Sequence, residues 1–328
     1  MTSLHDVALL AGVSKSTVSR VINNEYGVKE STKKKVQQAI AECGYLPNQV
    51  AKDLKSQKTN LIGVIVPRVS SHATAQGVDG LTTVFEKAGK QVLLANTHQV
   101  HQKELDYIHL FNQKRVEGII LYATNIDKAI VESIQKSSVP VVLVGQDGSM
   151  FNILSVVHDD ERVGIEAANR LIARGCQNIG FLGVQGDDIA VDQLRSSGFI
   201  KSLKRQKQSL LFHGRGDFTI DSGYQLTQKY LNEYPHLDGL FCATDRIAIG
   251  AIQAIQDKGL KPGKDIAILG VGDDELASVC SPSLSTFHYS FDKAGERAAN
   301  LLLDCILNNA IDMSKIVLTF QSIKRQSC

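Results

Sequence analysis

Short apolar runs alternate with helix-like stretches along most of the chain, from residue 61 onward. The runs are apolar on both faces, which is typical of parallel strands covered by helices on both sides. They fall into two series, which favours two doubly wound α/β lobes over one long sheet. The candidate strands are 61–67 (LIGVIVP), 91–96 (QVLLAN), 118–123 (GIILYA), 140–145 (PVVLVG), 178–183 (NIGFLG), 209–214 (SLLFHG), 239–244 (GLFCAT) and 265–272 (DIAILGVG).

The first sixty residues differ from this body in charge. They carry nine Lys or Arg against five Asp or Glu, a net of +4, so that the other 268 residues sum to −2 within the overall net charge of +2. A small basic head on a slightly acidic body favours an anionic partner, with nucleic acid the leading candidate. A solvated basic surface is the alternative that charge alone leaves open.

The cysteine pattern and the length of the apolar runs indicate the cellular compartment in which the protein resides. Six cysteines are scattered without a C-x-x-C pair, which argues against a metal site or a disulfide framework and indicates a reducing cytosol. The N-terminal residues lack the pattern of a signal peptide, and no apolar run approaches the roughly 20 residues of a membrane span. We therefore expect a cytoplasmic protein with no membrane partner and no metal.

The head contains the spacing of a helix-turn-helix. Ala8 allows two helices to cross closely, Gly12 supplies the turn, and Val18 packs the second helix against the first. Ser14 is the predicted N-cap of that second helix. An ordinary helical hairpin with a polar surface is the alternative. A third helix is predicted over 31–43, with Ser31 as N-cap and Gly44 as terminator.

The outward face of the second helix carries short hydroxyls and two cations, which suit the major groove of DNA. These residues are Lys15, Ser16, Thr17, Ser19 and Arg20.

Polar groups follow the ends of several candidate strands. Arg195, Thr244 and Asp245 lie in such segments, as do Asp273 and Asp274. In doubly wound folds the ligand binds beyond the carboxyl ends of the strands. Carboxylates, an Arg and an aromatic face suit a hydroxyl-rich ligand such as a sugar. For any single residue a helix cap is the alternative, and we expect Asp245, and Asp187 or Asp188, to be N-caps.

Residues 3–67 resemble the DNA-binding head of the lactose-repressor family of bacterial regulators. The resemblance implies a three-helix head, base reading by Lys15, Ser16 and Arg20, and a hinge helix within 47–60. A helix this short is marginal alone, so we expect it to form on DNA, where Leu54 would enter the minor groove. The predicted DNA-binding residues are Ser14, Lys15, Ser16, Thr17, Ser19, Arg20, Asn23, Asn48, Val50, Ala51 and Leu54.

The resemblance extends to the C-terminus and implies a two-lobed core, similar to periplasmic binding proteins, with an effector between the lobes. Segments such as VGQDGSM and HDDERVG look most like sucrose-operon repressors. Arg195 is then the expected clamp on sugar hydroxyls. The predicted effector-binding residues are His72, Ala73, Gln146, Asp147, Arg195, Thr244, Asp273, Asp274, Tyr289 and Phe291.

The predicted fold class is an all-α helix-turn-helix head followed by an α/β core of two doubly wound parallel sheets. The predicted domains are a head over 1–46, a hinge over 47–60, an N-terminal lobe over 61–158 with about 289–314, and a C-terminal lobe over 159–288 with about 315–328.

The resemblance implies a homodimeric repressor that leaves a pseudopalindromic operator when a sugar, sucrose or a related sugar or sugar phosphate, binds. No P-loop or G-x-S-x-G motif is present and the nine histidines are dispersed, so we expect neither an enzyme nor a cofactor. Two alternatives stay open, namely a two-lobed sugar receptor without a DNA role and a regulator of the same family that needs a co-repressor.

Overall fold

A computed structural model describes residues 2–23, 25–45, 59–185, 188–308 and 313–328. The chain divides into two compact units, Met1–Thr59 and Asn60–Cys328. Across the described ranges, none of the helices combines the length and the apolar character that a bilayer crossing requires.

The first unit contains three helices, α1 (Leu4–Ala11), α2 (Lys15–Ile22) and α3 (Glu30–Cys43). Its apolar core consists of Val7, Ala8, Val18, Val21, Val36 and Ala39.

The turn between α1 and α2 confirms the predicted helix-turn-helix. Gly12 ends α1 at a φ of 65°, a left-handed conformation that glycine adopts without strain. Ser14 caps α2, because its hydroxyl accepts a hydrogen bond from the backbone N–H of Thr17 at 3.1 Å. The predicted cap of α3 is wrong. Ser31 lies inside that helix, whose N-cap is Lys29 and makes no side-chain capping bond.

The second unit contains two six-stranded sheets. In spatial order, the first sheet consists of β11 (Lys315–Leu318), β5 (Ser155–His158), β4 (Val141–Val144), β3 (Gly118–Tyr122), β1 (Leu61–Val66) and β2 (Gln91–Asn96). In the same order, the second sheet consists of β12 (Phe320–Ile323), β10 (Ser285–Tyr289), β9 (Ala267–Gly272), β8 (Gly239–Cys242), β6 (Ile179–Val184) and β7 (Leu210–Gly216). The described pairs are parallel apart from β10 with β12, which is antiparallel.

Helices cover both faces of each sheet. They are α4 (His72–Lys87), α5 (His101–Gln113), α6 (Lys128–Gln135), α7 (Asp160–Ala173), α8 (Arg195–Arg205), α9 (Ile220–Glu233), α10 (Asp245–Asp257), α11 (Glu275–Val279) and α12 (Phe291–Ile306). A short π-helical segment, Ile189–Leu194, leads into α8. In the first lobe, α4 and α12 close one core and α5 and α6 close the other. Because both faces are covered, the central strands are buried along nearly their whole length.

The chain passes between the two sheets at three points, after β5, after β10 and after β11. The assignment of the whole of 315–328 to the C-terminal lobe is therefore wrong for Lys315–Leu318. This strand pairs in parallel with β5, with Ile316 opposite Val156, and so completes the first sheet. Only after Leu318 does the chain enter the second sheet as β12, where Ile323 lies opposite Thr286.

Candidate functional site

In the head, the exposed side of α2 carries the predicted DNA-reading residues. Ser14, Lys15, Ser16 and Arg20 are exposed, whereas Thr17, Ser19 and Asn23 are half-buried. The helix is fixed to the head by Val18 and Val21, which are buried on its opposite side. Lys15 and Arg20 have no side-chain partner among the described residues. Cations left unpaired on the outside of an anchored helix are available for phosphates and for guanine edges.

The predicted hinge residues Asn48, Val50, Ala51 and Leu54 lie outside the residues that the structure describes. Their role in DNA binding stays a prediction.

In the second unit, residues of both lobes line two adjoining cavities of about 490 and 160 Å³. The lining follows the carboxyl ends of parallel strands, as expected for a doubly wound fold. Arg68 follows β1, Gln146 follows β4, Thr244 follows β8 and Asp274 follows β9. We call the two cavities together the cleft.

Arg195 lies at the centre of the cleft, between the two cavities. Its Nε donates to Asp160 Oδ1 at 2.7 Å, and its Nη1 donates to the Ala243 carbonyl. The hydroxyl of Tyr289 donates to the same Asp160 oxygen at 2.8 Å, and the Tyr289 ring lies 5.3 Å from the guanidinium. Burial alone would lower the pKa of Arg195, but the adjacent Asp160 carboxylate raises it above its ordinary value. Arg195 is therefore a permanent cation within a buried network.

Close contact between α7 and α8 holds this pair together, because Asp160 and Arg195 begin the two helices. A Cβ at Gly164 would lie 2.0 Å from the Arg195 carbonyl oxygen, and one at Gly198 would lie 2.0 Å from the Glu161 carbonyl oxygen. Only glycine at both crossing points lets the two backbones approach this closely. The position of the buried ion pair thus depends on two residues that do not touch the cleft.

Aromatic side chains form one wall of the cleft. His158 stacks on Tyr289 with ring centroids 4.2 Å apart, and Phe291 meets the His158 ring edge-on at 5.3 Å. Burial, and then the charge of Arg195, lowers the pKa of His158 to about 3, so the ring is neutral at physiological pH. A flat aromatic wall of this kind suits the apolar face of a sugar ring.

Three polar atoms on the cleft lining have no hydrogen-bond partner among the described residues. They are the Nε2 atoms of His72 and His158 and the hydroxyl of Tyr122. Buried polar atoms are normally hydrogen-bonded, so these three give the cleft wall hydrogen-bonding capacity that the described residues do not use.

A hydrogen bond connects the two lobes across the cleft. Gln146 Nε2 donates to Asp188 Oδ1 at 3.1 Å and to the Thr124 carbonyl at 3.0 Å. Asp188 also caps the π-helical segment by accepting from the Val191 N–H at 3.0 Å, as the sequence predicts. Burial raises the pKa of Asp188 to about 6.

The N-terminus of α10 borders the larger cavity. Thr244 is its N-cap, so the prediction that Asp245 would be the cap is wrong. Asp245 is buried instead, where it accepts from the Thr286 hydroxyl at 2.5 Å and from the Asp274 N–H at 2.7 Å. Burial raises the pKa of Asp245 to about 7. Asp274 caps α11 through the N–H of Leu276 and contacts Arg246 Nε at 3.3 Å.

Two of the predicted effector residues do not line the cleft, and for these the prediction is wrong. Asp147 pairs with Lys315 Nζ, in β11, at 2.6 Å. Asp273 pairs with Arg325 at 2.7 Å and with His288 at 3.2 Å. Both carboxylates point toward the C-terminal strands, whose place in the sheets the sequence did not reveal. The predicted residues that line the cleft are His72, Ala73, Gln146, Arg195, Thr244, Asp274, Tyr289 and Phe291.

Comparison with known proteins identifies the family. Residues 3–48 match the bacterial regulatory proteins of the lacI family, and residues 168–328 match the periplasmic binding protein-like domain. The chain is 34% identical over 328 residues to the sucrose operon repressor of Staphylococcus xylosus, covering 99% of this chain and 100% of that protein. The chain belongs to the lacI family of bacterial regulatory proteins.

Two further proteins are similar over nearly the whole length of the chain. Catabolite control protein A of Priestia megaterium is 33% identical over 332 residues, covering 99% of this chain and 98% of that protein. The Lac repressor dimer bound to operator and the anti-inducer ONPF has a TM-score of 0.92 at 29% identity, covering 99% of this chain and 98% of that one. The predicted fold class, a helical head and a two-lobed α/β core, is therefore confirmed.

Several cleft residues of this lacI-family chain were missed by sequence reasoning. Arg68 lies in a polar segment directly after β1, and its place after a strand was a usable signal. His158 ends β5 and Asp160 begins α7 just after it. That strand was not predicted, so no strand end marked the two residues, although both lie in the segment HDDERVG that carries the family resemblance. Phe218 lies in the loop before α9, where the sequence offered no pattern.

Proposed function

We propose that this protein is a transcriptional repressor of a sugar-utilisation operon. It binds a pseudopalindromic operator as a homodimer through the exposed side of α2, and a sugar in the cleft releases it. Sucrose or a related sugar is the proposed effector class, since one relative is named a sucrose operon repressor. The protein acts by binding rather than by catalysis.

The observation that carries this proposal is the presence of two ligand surfaces in one lacI-family chain. Arg20 and Lys15 have no side-chain partner among the described residues and lie on an anchored helix, which suits contacts to base edges and phosphates. The cleft offers a buried cation, an aromatic wall and three unpartnered polar atoms, which suit a hydroxyl-rich ligand. Because the cleft is lined from both lobes, a ligand there couples to their relative positions.

The supporting experiment begins with selection of DNA ligands from a random pool by the full-length protein. We expect two half-sites related by a two-fold axis, as a symmetric dimer requires. Fluorescence anisotropy with the selected operator then measures release by mono- and disaccharides and their phosphates. The proposal fails if no sequence is enriched, or if no sugar changes operator affinity. A sugar that tightens operator binding would instead show that the protein is a regulator that needs the sugar as a co-repressor.

An internal control separates the two activities. Arg20→Ala should weaken operator binding while the sugar still raises the melting temperature of the variant, because the cleft is unaltered and ligand binding stabilises by mass action.

A further inference from the structure

Arg68 is a cation in the cleft that has no ion-pair partner in the described part of the chain. It follows β1 in the first lobe and lines both cavities. Its guanidinium lies 4.4 Å above the ring of Phe218, which belongs to the second lobe. Among the described residues, its side chain has no ion pair and no hydrogen bond. A half-buried guanidinium with five N–H donors and only a ring contact has its bonding capacity left for another group.

Arg246 brings a second guanidinium to the same cavity from the opposite lobe. It is the second residue of α10. Within the described chain, its one ion pair is a 3.3 Å contact from Nε to Asp274, so both terminal nitrogens are left without a partner. The two guanidiniums repel each other, and burial and then this repulsion lower the pKa of Arg68. An anion between them would relieve the repulsion.

Three helix N-termini reinforce the positive potential. The first turns of α4, α9 and α10 line the larger cavity, with His72, Ile220 and Asp245 respectively. Each N-terminus carries a partial positive charge from its free backbone N–H groups. Ser71, the N-cap of α4, makes no side-chain capping bond that would occupy those groups.

The nearby carboxylates offset this charge only in part. Asp188 and Asp217 attract Arg68, but burial and the repulsion from Arg246 outweigh them, and the pKa of Arg68 stays lowered. The Asp160 carboxylate forms an ion pair with Arg195. Asp245 accepts hydrogen bonds from the Thr286 hydroxyl and from the Asp274 N–H. Burial raises the pKa of Asp245 to about 7, so its carboxyl group is partly neutral at physiological pH. Asp274 caps α11 and holds Arg246. Asp221 lies at the exposed edge of the cavity, in the first turn of α9.

We propose that Arg68 and Arg246 form an anion subsite that spans the two lobes, and that the effector is a phosphorylated sugar. This inference rests on the proposed function, because it assigns a chemical class to the ligand of the same cleft. The sugar rings lie against the aromatic wall and Arg195, and the phosphate accepts charge-assisted hydrogen bonds from the two arginines. Since the arginines come from different lobes, the phosphate connects the lobes directly.

Matched sugar pairs test the subsite. Isothermal titration of the full-length protein would compare glucose with glucose 6-phosphate, fructose with fructose 6-phosphate and sucrose with sucrose 6-phosphate, with inorganic phosphate alone as a separate arm. For the correct sugar, we expect the phosphorylated member to bind at least about tenfold more tightly, with an affinity that falls as salt rises. Inorganic phosphate alone should bind much more weakly, because it lacks the contacts of the sugar.

Charge-neutralising variants locate the phosphate. Arg68→Gln and Arg246→Gln should each remove most of the preference for the phosphorylated sugar and leave affinity for the neutral sugar nearly unchanged. Arg68→Lys keeps the charge and should retain part of the preference. Arg205→Gln is the matched control, since Arg205 is an exposed arginine near the end of α8 and does not line the cleft.

The outcomes separate the two hypotheses. Equal affinity for both members of every pair overturns the anion subsite but leaves a sugar-responsive repressor intact. Equal loss of neutral and phosphorylated sugar in the Gln variants also overturns it, as does inorganic phosphate binding as tightly as any sugar phosphate. No response to any sugar in either binding or operator release contradicts the proposed function itself.

Discussion

Arg195 and Arg68 face the same cleft but differ in what surrounds them. Arg195 is buried and held by Asp160 and the Ala243 carbonyl, whereas Arg68 is half-buried and rests only on the Phe218 ring among the described residues. A cation whose partners are internal mainly holds the structure, because its loss exposes an unmatched buried carboxylate. A cation without internal partners contributes little to folding and is available to a ligand. The same contrast extends to tyrosines in the cleft and to the arginine of the head.

The largest difference should appear when each cleft arginine is removed. Arg195→Ala leaves Asp160 buried without its counter-ion, so we expect the free energy of unfolding to fall by about 3–5 kcal/mol. Arg68→Ala should change it by less than about 1 kcal/mol, because no internal partner is lost. Urea denaturation of the two variants measures both values. Similar losses would break the distinction between paired and unpaired arginines.

Arg20 extends the comparison to the head, where an unpaired arginine should affect binding without affecting folding. Arg20→Ala should weaken operator binding by about 1–3 kcal/mol and relax the base preference at one position. The melting temperature should stay within about 1 °C of the parent, since Arg20 has no described side-chain partner. Anisotropy titrations against operators with single base changes measure the effect. An unaltered base preference would exclude a base-reading role.

Two tyrosines in the cleft test the same contrast between partnered and unpartnered groups, with smaller expected changes in the free energy of unfolding. Tyr289→Phe removes the hydroxyl that donates to Asp160, which should lower the free energy of unfolding by about 1–2 kcal/mol. Tyr122→Phe removes a hydroxyl that has no partner among the described residues, so it should be neutral or slightly stabilising. Thermal and urea unfolding of the pair provide the measurement. A destabilised Tyr122→Phe would show that its hydroxyl is bonded within the free protein.

The effect of removing the charge of Asp188 should depend on pH. Its pKa of about 6 lies above the ordinary value of 3.8, so between these values the folded state binds more protons than the unfolded state. Stability attributable to Asp188 therefore rises as pH falls through 6, and the ionised carboxylate is destabilising at neutral pH. Asp188→Asn keeps an acceptor for Gln146 and should raise the melting temperature by about 2–4 °C at pH 7.5.

That gain should shrink steadily as the pH is lowered from 7 to 4, because the parent carboxyl becomes neutral like the amide. Melting curves of the parent and of Asp188→Asn across this range test it. A gain that does not vary with pH would assign the effect to packing and not to the buried charge.

Local signals explain what could be predicted from the sequence. The turn of the head depends on Gly12 and Ser14, whose conformational and capping roles are properties of a few neighbouring residues. The central strands are apolar on both faces, so their composition is sufficient to recognise them. The missed strands β5, β10, β11 and β12 are four or five residues long, and β11 alternates exposed and half-buried positions. Their pairing depends on partners far away in the sequence.

The same limit applies to the site. Arg195 was expected from a family resemblance, but its partner Asp160 lies 35 residues away and meets it only because α7 and α8 cross at Gly164 and Gly198. Asp147 and Asp273 were misplaced because their partners, Lys315 and Arg325, come from the C-terminal segment. Adjacent carboxylates such as Asp273 and Asp274 can therefore have different partners, and composition does not distinguish them.

The three passages of the chain between the sheets have a mechanical consequence. Two of them leave β5 and β11, which are neighbours in the first sheet, and the third leaves β10 of the second sheet, where β12 is its neighbour. Three short connections that lie side by side are expected to act as a hinge. Such a hinge allows the lobes to bend about one axis and resists their sliding or twisting relative to each other. We therefore expect the cleft to open and close mainly by bending at these connections, so that a ligand in contact with both lobes favours one angle between them.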